Sequence, residues 1–156
     1  MSAPVRGQCR RTIPSLILPD GTGWMATHQP CTYEEVGPHV RLDDTRRLTV
    51  QRVDRSTQWG NPWEVVPAGP GHEWRLHYRT QVLPERYATE RAATEAAVDR
   101  FRQAALLLRR EAPSCSEIDL APLLDADVLA CWCPIGTPCH ADVLCELVGD
   151  LRAARS

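Results

Sequence analysis

DVLACWCPIGTPCHADVLCELV, residues 127 to 148, opens as a compact apolar run and closes on a helical period. Asp127 to Cys133 has the length and content of a buried strand. From Pro138 to Arg152 the spacing changes, and Leu144, Leu147, Val148 and Leu151 fall on one face of an amphipathic helix. Between the two, Thr137 is a good N-cap and Pro138 a favoured first helical residue, which places Cys139 and His140 in the first turn. Backbone N–H groups are unpaired there and the helix carries about half a positive charge, so an anion or thiolate is stabilised. Cys139 is thus a candidate low-pKa nucleophile, with His140 as acid, base or donor and Asp142 as its orienting carboxylate.

Working outward, residues 89 to 110 carry Ala93, Ala97, Phe101, Ala104, Ala105 and Leu108 at steps of three and four, which predicts a long helix capped by Thr89 and stopped by Pro113. A short turn or helix is expected at 116 to 124. Upstream, residues 47 to 53 and 63 to 66 have strand composition and are separated by the loop segment RSTQWGNPW. Strand, helix, strand, helix is the order of an α/β layer fold. The expectation is a single three-layer, Rossmann-like α/β domain with a mostly parallel sheet over residues 46 to 156. Residues 1 to 45, broken by Pro14, Pro19, Gly21, Gly23, Pro30, Gly37 and Pro38, are expected to form an irregular N-terminal arm with only short extended pieces such as 15 to 18.

The length of 156 residues suits one such domain, and 43% apolar with 24% charged residues lies in the globular range. No apolar run is long enough to span a bilayer, and the first residues lack the apolar core of a signal peptide. A net charge of −2 gives no general attraction to polyanions, so nucleic acid is only weakly supported as a partner. All 18 basic residues are arginine, which excludes Schiff-base, lysine-base and Walker-type phosphate chemistry. Seven cysteines, four of them between Cys131 and Cys145, are not spaced as a secreted disulfide scaffold, and a reducing, cytoplasmic setting is expected.

Three readings compete for the cysteine-rich stretch. In the first, Cys139, His140, Asp142 and the loop ending at Thr137 contact a nucleotide-like or other small anion, with no metal or cofactor needed. In the second, Cys131, Cys133, Cys139 and His140 bind zinc, although two residues of one strand that share a face stand roughly 6 to 7 Å apart and would need a bend to share an ion. In the third the cysteines are small core residues. The WGNPW segment offers a matching recognition loop: Gly60 allows close backbone approach, Asn61 can read a polar edge, Trp59 can stack, and Arg55 with Arg52 supplies positive charge. For each tryptophan taken alone, a core anchor is the usual outcome.

WGNPW at 59 to 63, preceded by TVQRVDR, together with LACWCPIGTPCHADVL at 129 to 144, resembles the bacterial and phage family catalogued as domain of unknown function 4326, whose members carry WGNPF-like and CWC…CHxD motifs. The resemblance covers about residues 46 to 150, with Trp63 in place of the usual phenylalanine, and implies no settled activity. The functional expectation is a cleft between the WGNP loop and the start of the last helix that binds a nucleotide- or nucleoside-like anion. Transferase or hydrolase chemistry at a glycosidic or phosphoryl centre suits the parts. The alternative is a zinc-stabilised, non-catalytic interaction module.

Overall fold

The computed structural model describes residues 2–10, 15–20, 23–28, 32–35, 47–71, 73–111 and 119–155. In chain order the elements are β1 (Val5–Arg10), β2 (Ser15–Ile17), β3 (Gly23–His28), β4 (Thr32–Glu35), β5 (Arg47–Arg52), β6 (Trp63–Pro67), β7 (Trp74–Tyr78), β8 (Gln81–Tyr87), α1 (Glu90–Glu111), a 3-10 turn (Ala121–Leu123), β9 (Val128–Cys131) and α2 (His140–Arg155). Six strands close into a barrel in the order β1-β2-β3-β4-β5-β9, and β6-β7-β8 form a separate antiparallel sheet.

The three-layer, mostly parallel Rossmann-like expectation is therefore wrong. Among the described residues the only parallel pairings are those of β9 with β1 on one side and β5 on the other, while every other pairing is antiparallel. A doubly wound sheet needs a helix in each crossover and helices on both faces. Here β5 to β8 follow one another without a helix, and only α1 and α2 exceed a single turn among the described residues. The expected irregular arm instead supplies β1 to β4, four of the six barrel strands.

β9 explains why a continuous apolar run is required. All four of its residues are buried, because the strand is covered on both faces. Val128 and Ala130 join Cys9, Leu16 and Val50 in the barrel interior. Leu129 and Cys131 face the other way, into a larger core with Phe101, Leu144 and Val148. α1 bridges the two halves of the molecule: Ala93 and Ala97 pack with Leu76 on the small sheet, whereas Phe101 and Ala105 belong to the core beneath α2. The Thr89 hydroxyl accepts the Ala92 N–H at 3.1 Å, so the expected cap of α1 is present. Pro113, its expected stop, lies outside the described residues, as do 116 to 118 of the expected 116 to 124 turn, whose described part holds the 3-10 turn Ala121–Leu123.

The β7–β8 hairpin was not anticipated, and its chemistry shows why. Tyr78 pairs with Gln81, and the two-residue connection has Arg79 at φ 56°. A two-residue turn with positive φ at its first position ordinarily advertises itself by glycine there, not by Arg-Thr. β8 also contains Pro84, which is tolerated because β8 is an edge strand. None of the described helices is long and apolar enough to cross a membrane.

Candidate functional site

β9 ends at Cys131, and the chain bends at Trp132 and Cys133 before the loop to α2. The bend does what a straight strand could not: it brings the sulfurs of Cys131 and Cys133 to 3.6 Å. With Cys139 they form a group whose three Sγ atoms all lie within 4.8 Å of one another, and which could hold a metal ion. His140 does not join this group. Its Nδ1 is 3.8 Å from Cys139 Sγ, while Nε2 lies 2.6 Å from the Val53 carbonyl oxygen. A proton on Nε2 donated to that carbonyl leaves Nδ1 facing the thiol. The edge of the ring rests against Phe101, centroids 5.4 Å apart.

Helix α2 begins two residues later than the Thr137–Pro138 signal suggests. The Thr137 hydroxyl donates back to the Pro134 carbonyl at 2.7 Å and caps nothing. Cys139 stands at the cap position instead, its sulfur accepting the Ala141 N–H at 3.5 Å. The Cys139 thiol is raised, not lowered, by its surroundings. Its neighbours Cys131 and Cys133, and then burial, push it far above the ordinary thiol range. Cys133 is shifted the other way, below the ordinary thiol range, chiefly because the thiols of Cys131 and Cys139 hydrogen-bond to it; that outweighs its partial burial, and the charges of Arg6 and Arg55 assist. Cys145, away from this group, is pushed up to about 12 mainly by burial and is a core residue.

Asp142 does not orient His140. Its Oδ2 accepts from Arg6 Nη1 at 2.7 Å, and the carbonyl of Val53 takes the orienting role. Arg6, from β1, is the residue that sequence reasoning missed. Buried to 7% exposure, its guanidinium also donates to the carbonyls of Thr137 (2.8 Å), Pro134 (2.6 Å) and Cys133 (3.3 Å). Its neighbour Gln8 accepts the Ile135 N–H at 3.3 Å. Gly136, at φ 85°, completes the loop turn these contacts secure. No local signal marks Arg6, because its partners lie about 130 residues away.

In front of the thiols lies a cleft of about 740 Å³, lined by Arg52, Asp54 to Ser56, Asn61, Trp63 to Val65, the start of α1, Cys131 to Cys133 and Pro138 to His140. Of the residues expected to contact a ligand, Arg55, Asn61, Cys139 and His140 line it and Trp59, Gly60, Thr137 and Asp142 do not. Trp59 is a core anchor, its Nε1 donating to the Asp119 carbonyl at 2.7 Å. Thr137 faces a second groove of about 400 Å³ beside Glu90 and Pro134. Asn61 ties the loop to α1: Oδ1 accepts the Trp63 N–H at 3.0 Å and Nδ2 donates to the Ala97 carbonyl at 3.2 Å. Gly60 allows close approach, though to the loop's own backbone, since a Cβ there would sit 2.5 Å from Arg55 Cα. Trp63 and Trp132 are the cleft's indoles; Trp63 packs against Tyr78 at 5.1 Å and Arg52 lies over Trp132 at 5.2 Å.

Asp54, buried at the base of this loop, organises it. It accepts from the Ser56 amide (2.9 Å) and hydroxyl (2.5 Å) and from Arg52 Nε (2.8 Å). Burial alone would raise its pKa, but the bonds from Ser56 and Arg52 prevail and hold the carboxyl below its ordinary value. Ionised Asp54 therefore stabilises the fold at any pH above the unfolded carboxyl's titration near about 4, and this contribution is lost as pH falls through the depressed folded value. Asp54→Asn is expected to lower stability by about 1–2 kcal/mol at pH 7 and to flatten the acid limb of a Tm–pH curve; an acid limb identical to that of the parent protein refutes the assignment.

No curated protein and no solved structure matches this chain. The sequence model of one family, described as Domain of unknown function (DUF4326), matches residues 40–150. That span contains every residue lining the cleft, and the chain belongs to this family.

Proposed function

We propose that the cleft binds a small anionic ligand of the nucleotide or nucleoside class. The observation that carries this reading is the meeting, in one hollow, of the loop after β5 with the start of α2. Its volume of about 740 Å³ is that of a small-molecule site. Arg55 and Arg52 offer guanidinium groups to an anion, Trp63 and Trp132 offer faces for an aromatic ring, and Glu64 and Glu90 offer acceptors for sugar hydroxyls. Arg52 is already paired with Asp54 at 2.7 Å, so Arg55, exposed and, among the described residues, bonded through Nη2 to the Trp63 carbonyl at 3.1 Å, is the better anion contact. The reaction class these parts suit is transfer or hydrolysis at a glycosidic or phosphoryl centre, with no lysine required.

A calorimetric titration with nucleosides and their mono-, di- and triphosphates tests this. At least one is expected to bind saturably, and Arg55→Gln to weaken it about tenfold, the equivalent of ~1.4 kcal/mol. No binding across the panel, or undiminished affinity in the variant, overturns the reading. A second reading, a zinc-stabilised interaction module without catalysis, is favoured by one specific observation, the grouping of Cys131, Cys133 and Cys139. Its signature is unfolding on treatment with a chelator.

A further inference from the structure

We infer that Cys131, Cys133 and Cys139 form a three-thiolate zinc centre whose fourth coordination position opens into the cleft. This goes beyond the ligand reading and stands on the sulfurs, whatever occupies the hollow in front of them.

Tetrahedral zinc with Zn–S bonds of about 2.3 Å sets its sulfurs about 3.8 Å apart. The Cys131 and Cys133 sulfurs are 3.6 Å apart, and no pair in the group exceeds 4.8 Å. A metal would draw them together by an ångström or less. Thiolate sets select zinc and other thiophilic ions over magnesium or calcium. The surroundings suit bound thiolates: the Ala141 N–H already points at the Cys139 sulfur, and the Arg6 guanidinium sits on the Cys133 carbonyl, offsetting the single net negative charge of three thiolates around a divalent ion.

The number of ligands carries the rest of the inference. Closed structural sites use four protein ligands, whereas sites that act on a substrate use three and leave one position for water or the substrate. Among the described residues no fourth histidine or carboxylate joins the group. His140 stands beside the group, its Nδ1 3.8 Å from Cys139 Sγ, but it does not come within 4.8 Å of all three sulfurs. All three cysteines line the cleft, and Cys133 is only partly buried. A donor atom entering the cleft therefore reaches the metal, and the role open to His140 is that of a proton donor or acceptor beside Cys139 rather than a ligand.

Cobalt(II) added to the full-length, reduced, metal-free protein tests both halves of the inference. One equivalent is expected to bind, with intense sulfur-to-cobalt charge transfer and the visible bands of a tetrahedral ion, and zinc is expected to displace it. Thiocyanate should then shift the visible bands by occupying the open position. Cys133→Ser, chosen because this residue is the least buried of the three, should lose the charge-transfer signal, and His140→Asn should keep it. Absence of the signal in the parent protein overturns the metal site, and that measurement depends on no variant folding. Visible bands indifferent to thiocyanate, or loss of the metal in His140→Asn as complete as in Cys133→Ser, overturn the open position. Nucleotides are absent from the experiment, so a metal centre in a protein that binds none of them sinks only the ligand reading.

Discussion

Arg6→Met is expected to destabilise the protein by about 3 kcal/mol and to scatter the thiol group with it. Methionine replaces most of the volume and none of the donors. The carbonyls of Cys133, Pro134 and Thr137 lose the guanidinium that joins them, and each buried acceptor left without a donor costs about 1–3 kcal/mol. Part of this is recovered. Asp142, the fourth partner, keeps 47% of its side chain in water and can be solvated there, and Pro134 and Thr137 are exposed residues. Removing Arg6 also relieves a buried Nε that has no partner. The estimate is accordingly set below the upper end for breaking a buried ion pair, about 5 kcal/mol. Arg6→Lys should not rescue, because one ammonium cannot reach three carbonyls and a carboxylate spread around a planar fork. Urea unfolding checks both variants, and a loss under about 1 kcal/mol, or a lysine variant as stable as the parent, refutes the clamp. Cobalt binding should fail in Arg6→Met under conditions where the protein is still folded, since the loop that carries Cys133 is no longer held to β1.

Phe101→Ala is expected to cost about 3–5 kcal/mol. Phe101 is the chain's one phenylalanine, is 1% exposed, and lies in the core that joins α1 to β9 and α2. Truncation opens a cavity at the junction of three elements, none of which can move inward without leaving its other partner. Phe101→Leu, which keeps most of the volume, should cost about 1–2 kcal/mol. Leu107→Ala, seven-tenths of a turn past the same face and 53% exposed, should stay within about 0.5 kcal/mol. The ring also walls His140 on one edge, so the alanine variant should weaken ligand binding in the cleft even at temperatures where it is fully folded. Thermal and urea unfolding give the first result and calorimetry the second. A loss below about 1.5 kcal/mol for the alanine variant contradicts the packing role.

Much of the site's half of the molecule could be read along the chain. The strand at β9, the long helix α1, the strands at β5 and β6 and the closing helix α2 all declare themselves through local periodicity, and the structure departs from their expected bounds by a few residues at most. The hollow between the WGNPW loop and the start of α2 was anticipated from the same signals. The cap was misplaced because Thr137 and Pro138 satisfy a general preference, whereas the loop is shaped by Arg6 and Gln8 from another strand. The thiol group shows a related limit of local signals. A helix terminus acts on any thiol near it, but which of three adjacent sulfurs yields its proton depends on which receives hydrogen bonds from the others.

Local composition along this chain therefore settles which segments are strand or helix wherever burial is periodic, and that residues 127 to 148 turn thiols and an imidazole toward one loop. The barrel, the clamp by Arg6 and the closeness of three sulfurs came from elsewhere. They arise when β1 and β5 dock on either side of β9. Contacts of that kind join residues far apart in the chain, Val50 with Val128 and Arg6 with Thr137 and Asp142, where neither propensity nor period carries information, because the free energy that selects them belongs to the assembled core and not to any window of the chain.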